Sequence, residues 1–191
     1  INRFCQTANF QNECELEGYA KPDVYLYDRE IELLSILKKS IENQMADLNK
    51  SWNERNSKLV NFSKKEILII ASILEKESCA NEREKISGVI YNRLKNNMLL
   101  QMDSTTIYGL KDFNGNLKKK DLRDSSLYNT YMHKGLPPGP ISNPSKNSIF
   151  AAAQPEEHDY LYFVAKDKCN HEFSTNYDDH LKAVNKYQLR K

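Results

Sequence analysis

The 191 residues are 28% charged and 39% hydrophobic, and 28 basic against 26 acidic side chains leave a net charge of +2. That length supports one sizeable core, and so even a charge balance gives no electrostatic footprint for DNA or RNA. The longest apolar stretch, Ile67 to Leu74, is too short to span a bilayer. Four cysteines (Cys5, Cys14, Cys79, Cys169) form no CxxC pair, and no two of the four histidines share a helix face at ligand spacing. No metal and no cofactor are therefore expected. Cys79 reads as a buried, inert thiol, and Cys5 and Cys14 are close enough for a local disulfide in an oxidising compartment.

In chain order, residues 1–20 are polar and aperiodic, and Leu16 to Asp28 suggests a short extended piece. From Asp28 to about Trp52, Ile31, Leu34, Leu37, Ile41, Met45 and Leu48 recur at helical spacing, with Asp28 as N-cap. FSKKE (Phe62 to Glu66) carries a capping box, Ser63 with Glu66, and predicts a helix running to about Cys79. A further helix is predicted over Asn81 to Lys95. LLQMDSTTIYGLK then turns strand-like and turn-like, DFNGN is a turn, and KKKDLRD is a solvated charged face. GLPPGPISNP (Gly135 to Pro144) holds four prolines and two glycines, so it is a stiff loop. Ser145 or Asn147 caps a short helix to Pro155. YLYFVA (Tyr160 to Ala165) reads as a buried strand with HEFST as its hairpin partner, and a helix over Asp178 to Tyr187 closes the chain. The expected class is α+β: a helix-rich N-terminal part, a small β-sheet, then a C-terminal helix.

One side chain stands out. On the helix over Ile67 to Ser78, Ile70, Ile73 and Leu74 form an apolar stripe, and Glu77 falls within it, whereas Glu75 points away beside Leu68 and Ala71. A carboxyl among apolar neighbours holds its proton to higher pH, which is what a general acid requires. The plainer alternative is a helix-end glutamate that reaches water or pairs with a base such as Arg83. Arg83 and Arg93 themselves read as partners in ion pairs.

The segments LEGYAKPDVYLY, ASILEKES, NERE, VIYNRL, LLQMDSTTIYG, YNTY, GLPPGPISNP, AAAQP, YLYFVA and HEFSTN follow one another in this order. Together, over about Leu16 to Tyr187, they resemble the catalytic domain of the endolytic murein transglycosylases, the MltG or YceG-like family. The resemblance implies one catalytic domain over residues 1–191. It further implies that the N-terminal membrane helix and LysM-like domain of family members belong to a longer parent chain. It also implies that Glu77, second glutamate of the EKE run, is the catalytic acid. The substrate would be peptidoglycan glycan strands, cut at the bond between N-acetylmuramic acid and N-acetylglucosamine to leave 1,6-anhydro ends. Action at the outer face of the cytoplasmic membrane and partnership with peptidoglycan synthases, the penicillin-binding proteins, are implied as well.

The matching segments supply the expected substrate contacts: Ser78, Gln101, Asp103, Thr105, Tyr128, Asn129, Tyr131, His171 and Ser174, with Phe173 and Thr175 on the same wall and the proline-rich loop as a rigid cleft edge. Asp103 reads equally as a turn cap, Asn129 as a loop's internal partner, and Tyr128 and Tyr131 as core aromatics. His180 reads as structural. Two positions depart from the family pattern: Ser104 stands where many relatives have proline, and Ser145 where many have glycine. Neither is expected to touch the acid. Two other readings stay open, a hydrolytic muramidase using Glu77 and Asp103, and a non-catalytic peptidoglycan-binding module.

Overall fold

The computed structural model describes residues 16–28, 32–78 and 81–189. Among them six α-helices accompany one two-stranded antiparallel sheet, an α+β arrangement. In chain order these are α1 (Leu33–Asn53), α2 (Lys64–Glu77), α3 (Arg83–Lys95), α4 (Asp103–Gly109), α5 (Lys146–Ala153), β1 (Tyr162–Ala165), β2 (His171–Ser174) and α6 (Tyr177–Val184), which continues into a π-helical turn over Asn185–Leu189.

The axis of the fold is α2. It starts as its capping box predicts: the Ser63 hydroxyl accepts from the Glu66 amide, and the Ser63 amide donates to the Glu66 carboxylate at 2.7 Å. From Ile67 to Leu74 every residue is buried, because α1, α3, α4 and α5 all pack on this helix. The sequence suggests a helix apolar on one stripe; the structure encloses it on every side. Ser72, the one polar residue of that run, is satisfied. Its hydroxyl donates to the Ile69 carbonyl at 2.7 Å and accepts from the Ile141 amide at 3.0 Å.

That second bond relocates the proline-rich segment. Ile141 and Ser142 lie against α2, and the Ser142 hydroxyl donates to the Ser72 carbonyl at 2.9 Å. The Asn143 side chain accepts from the amides of Gly18 and Ala20, and the fully buried Gln44 of α1 donates to the carbonyls of Gly18 and Pro144. Gly18 has φ +85°, and a Cβ there would meet the Pro140 ring at 2.6 Å. The loop is therefore an internal wedge between α1 and α2, not the cleft edge that its stiffness suggested. Its prolines lack the amide donors that an interior would leave unsatisfied.

The start of α1 departs from the prediction, and α4 was not predicted. Glu32, not Asp28, occupies the cap position of α1 and makes no side-chain cap, and Leu33 and Leu34 at its start are exposed at 80% and 50%. α4 forms where β-branched residues suggested a strand. Its threonines are made helix-compatible by their hydroxyls: Thr105 donates back to the Met102 carbonyl at 2.7 Å, and Thr106 donates to the Asn129 side chain at 2.9 Å.

α3 ends in a Schellman motif. The Met98 amide bonds the Arg93 carbonyl and the Asn97 amide bonds that of Leu94, with Asn97 at φ +53°. Its VIYNRL motif sends three successive side chains to three places. Tyr91 donates to the Ala152 carbonyl of α5 at 2.7 Å, and Asn92 to the carbonyls of His158 and Tyr160 at 2.7 and 3.0 Å. Arg93 donates to Leu161, Leu99 and Leu100 carbonyls at 2.6, 3.1 and 2.8 Å. Arg93 is buried and holds backbone, so its expected role in an ion pair is corrected. The glycine of this helix, Gly88, lets the incoming 156–158 segment cross closely: a Cβ would lie 2.4 Å from the Glu156 carbonyl.

The predicted hairpin forms, pairing Tyr162 with Ser174 and Ala165 with His171. It is less buried than expected, with only Val164 of β1 fully enclosed. Cys169 in its turn is disulfide-bonded. The expectations for Cys5, Cys14 and Cys79 lie outside the described residues. Among the described residues, no helix is long and apolar enough to cross a membrane.

Candidate active site

Glu77 is the last residue of α2, and the chain turns to extended backbone at Ser78 (φ −132°, ψ 144°). The central helix thus ends by delivering a carboxyl from the core into a cleft of about 460 Å³. The opposite walls come from Arg93 of α3, residues 100–103, Tyr131, the β1 strand with His171 of β2, and Tyr177 and His180 of α6. The cleft keeps Glu77 partly exposed, yet protein atoms surround its carboxyl closely. Loss of water is accordingly the largest influence on it and raises its pKa above the ordinary carboxylate range. The neighbouring Asp103 charge pushes the same way. Against them, the Ser104 hydroxyl donates to Oε1 at 2.5 Å and the Ser104 amide to the same oxygen at 3.3 Å, and His171 acts in the same sense.

Asp103 opens α4 beside the acid, and its Oδ1 accepts the Tyr131 hydroxyl at 2.6 Å. Burial, then this bond, raises the Tyr131 pKa and keeps the phenol protonated. Gln101 sits at φ +52°, a region that non-glycine residues seldom occupy. Its amide donates to the Thr130 carbonyl at 3.1 Å and its side-chain oxygen accepts from Arg93 at 3.4 Å, so both neighbours pin the unusual backbone.

His171 is held from behind. Its Nδ1 lies 2.7 Å from Glu82, just before α3, and its amide donates to the same carboxylate at 3.1 Å. Phe163 meets the imidazole edge-on at 5.3 Å. Of the residues singled out from sequence, Glu77, Gln101, Asp103, Tyr131 and His171 therefore come together around one cleft.

The other five do not line it. Ser78 turns its hydroxyl back to the Leu74 carbonyl at 2.9 Å. Thr105 is fully buried against Thr130 at 2.8 Å. Asn129, also fully buried, uses its amide within the fold: the oxygen accepts from Thr106 and the Tyr131 amide, and the nitrogen donates to Leu122 and Asp124 carbonyls. Tyr128 packs on Tyr108 with ring centres 4.8 Å apart. Ser174, with Phe173 and Thr175, borders a separate cavity of about 410 Å³. These residues brace the walls from outside the cleft. YNTY in particular fixes Tyr131 by burying the asparagine beside it.

Three cleft contributors escaped the sequence reading. Ser104 was expected to leave the acid alone, yet it is the residue that bonds it. Its position directly after Asp103 was the available signal, masked by reading the segment as strand. His180 lines the cleft rather than only closing a helix, its ring stacked on Tyr162 at 5.2 Å and 26°. Burial, then Arg93, lowers its pKa. Glu82 could not be linked to a residue 89 positions away without the fold. Among the described residues no group of three histidine, cysteine or acidic side chains is placed to hold a metal ion.

Glu75, two residues before the acid, has a different setting. Its Oε2 accepts the Ser145 amide and hydroxyl at 2.9 and 2.7 Å and the Ser148 hydroxyl at 2.6 Å, and Arg83 stands 3.8 Å from Oε1. Burial alone would raise its pKa, but these donors outweigh it and lower it. Arg83 thus pairs with Glu75, not Glu77. Ser145, one of the two caps predicted, caps α5 and also anchors that carboxylate.

The α+β frame that carries this cleft is shared with known proteins. Residues 2–186 match the model of the YceG-like family, and the chain belongs to that family. It is 39% identical over 176 residues to a Bacillus subtilis protein named endolytic murein transglycosylase, covering 90% of this chain and 48% of the relative. A Streptococcus pneumoniae protein of the same name is 32% identical over 176 residues, covering 88% and 32%. A crystal structure of a yceG-like protein from Listeria monocytogenes superposes with a TM-score of 0.79 at 36% identity, over 93% of this chain and 58% of that one. The chain spans about half the length of the Bacillus relative and about a third of the pneumococcal one.

Proposed function

We propose that this chain is the catalytic domain of a peptidoglycan lytic transglycosylase that cuts within glycan strands. The observation that carries the reading is Glu77: a single carboxyl with raised proton affinity, delivered by the central helix into a cleft. The names of the relatives support the substrate. In the proposed reaction Glu77 gives its proton to the oxygen between N-acetylmuramic acid and N-acetylglucosamine. The bond from the muramyl C1 to that oxygen breaks, and its electron pair leaves with the glucosamine. The C6 hydroxyl of the same muramyl residue then attacks C1 and returns its proton to Glu77, closing the 1,6-anhydro ring. Because the nucleophile is tethered, its effective concentration is high and no second carboxylate has to activate water. Gln101, Asp103, Tyr131 and His171 present polar groups for the sugar edges, and Tyr162 and Phe163 offer faces for the apolar sides of the rings.

A peptidoglycan substrate puts the reaction outside the cytoplasm, and the family resemblance further implies the outer face of the cytoplasmic membrane, peptidoglycan synthases as partners and a membrane anchor in a longer parent. The disulfide at Cys169 supports an oxidising location.

A second reading has one observation in its favour, the carboxylate of Asp103 in the same cleft. It would make the chain a hydrolytic muramidase. Mass spectrometry of the sugar ends released from uncrosslinked glycan separates the two. Anhydro-muramic ends from the wild type, lost in Glu77→Gln, support the transglycosylase. Reducing ends support the hydrolase, and glycan left intact by the parent-length protein would favour a binding module.

A further inference from the structure

Among the described residues, both donors that reach Glu77 come from one residue and go to one oxygen. The Ser104 hydroxyl and amide each donate to Oε1, at 2.5 and 3.3 Å. Among the described residues no group bonds Oε2, and Oε2 is not among the buried, unpaired atoms. A carboxyl oxygen already accepting two hydrogen bonds has little capacity left to carry a proton, so the two oxygens of Glu77 are not equivalent. Ser104 itself is well fixed: the residues after it are tied down by the Thr105–Thr130 and Thr106–Asn129 bonds, at 2.8 and 2.9 Å.

We propose that Ser104 is a positioning residue for Glu77: by holding Oε1 as a pure acceptor it confines the exchangeable proton to Oε2, the oxygen that serves the glycan in both half-reactions. This deepens the proposed function and rests on Glu77 being its acid. The same bonds strengthen as the carboxylate forms, so Ser104 stabilises the charge that Glu77 acquires when its proton leaves. It also blocks rotation of the carboxyl between donation and recovery, so the oxygen that loses the proton to the glycosidic oxygen is the one that regains it from the C6 hydroxyl. A proline at this position would supply neither donor, having no amide hydrogen and no hydroxyl.

The test compares Ser104→Ala, which deletes the hydroxyl, with Ser104→Thr, which keeps it. Asp103, Tyr131, Arg93, Tyr162, His171, Tyr177 and His180 line the cleft and are left unchanged by both substitutions, so differences between the proteins report on the Ser104 hydroxyl. The first readout is the NMR titration of the Glu77 carboxyl carbon in substrate-free protein, assigned by its absence in Glu77→Gln. Hydrogen bonds to an ionised group favour it by roughly 1.5–3 kcal/mol, so Ser104→Ala should move this titration upward by about one pH unit or more. Ser104→Thr should stay within a few tenths of a unit of the wild type. The second readout is the pH profile of anhydro-end production. Its alkaline limb should follow the titration upward in Ser104→Ala, with a several-fold lower plateau in kcat and little change in KM, and Ser104→Thr should restore both. An unmoved titration in Ser104→Ala, or an equal movement in Ser104→Thr, overturns the proposal. Full activity in Glu77→Gln alongside a shifted titration would instead sink the assignment of the acid and leave the clamp standing.

Discussion

Glu75 and Glu77 stand two residues apart on one helix, and the structure treats them oppositely. Around Glu75 the protein is closed: three donors from Ser145 and Ser148 converge on one oxygen, with Arg83 near the other. Around Glu77 it is open to a cleft on one side, its donors among the described residues come from Ser104 alone, and the charge of Asp103 in the same cleft has the same sign. One carboxylate is held ionised to tie α5 and the proline-rich wedge to the central helix. Its neighbour holds its proton to higher pH than an ordinary carboxylate does. The acidity of a carboxyl therefore follows from the donors that the fold brings to it, not from the helix or the segment that bears it.

The largest test of that contrast is chemical. Glu77→Gln should lower release of anhydro-muramic ends by about 10³-fold while the protein remains folded, because a positioned acid is worth ~10²–10⁴ in rate. Retention of activity within tenfold would break the comparison at its functional end. Next in size is a loss of stability on the other side. Glu75→Ala leaves the Ser145 and Ser148 donors without their acceptor and should destabilise the fold by about 2–4 kcal/mol in a denaturant titration. Turnover per folded molecule should stay within about twofold of the wild type.

A smaller effect separates the two by sign. Glu75 has a folded pKa below its unfolded one, so its contribution is present above the unfolded value and is lost as pH falls through the folded value. Glu77 has a raised folded pKa, so ionising it opposes folding progressively as pH climbs from the unfolded value through the folded one. Thermal melts should show Glu77→Gln gaining on the wild type at pH 8 relative to pH 3, and Glu75→Ala losing most above pH 5 and least at pH 3. Parallel curves would show that the two sites are not electrostatically distinct. The smallest effect concerns the cleft wall. Tyr131→Phe removes one bond to Asp103, so stability should fall by about 1 kcal/mol and kcat/KM by a few-fold.

What the sequence revealed depended on how local the cause was. The capping box at Ser63 and Glu66, the Ser145 cap and the hairpin are encoded within a few residues, and each was legible. α4 was not, because Thr105 and Thr106 look like strand formers until Met102 and Asn129 supply acceptors for their hydroxyls. The proline-rich segment looked like a surface loop because its composition is that of one; only Ser72, nearly 70 residues away, shows it to be interior. Glu77 could be singled out by its place on the helix, although the apolar stripe used to do so proved to be part of a wholly enclosed helix. Ser104, beside Asp103, was hidden by the strand reading of its segment, and Glu82 could not be found at all, since it acts through a partner 89 residues distant.

The fan of Tyr91, Asn92 and Arg93 has a consequence for how this domain can vary. Successive helical side chains point about 100° apart, so three neighbours act as spokes from one hub. One spoke grips α5, one the approach to β1, and one the strap that leads to Gln101 and Asp103. A single residue added or removed upstream within α3 would turn every spoke off its target at once and pull the acid's wall away from the hairpin's. Lengthening the exposed stretch around Asp112 to Asn116 would disturb none of them. The domain should accept changes of length at its margin freely and refuse them in this one helix, where pitch sets the width of the cleft.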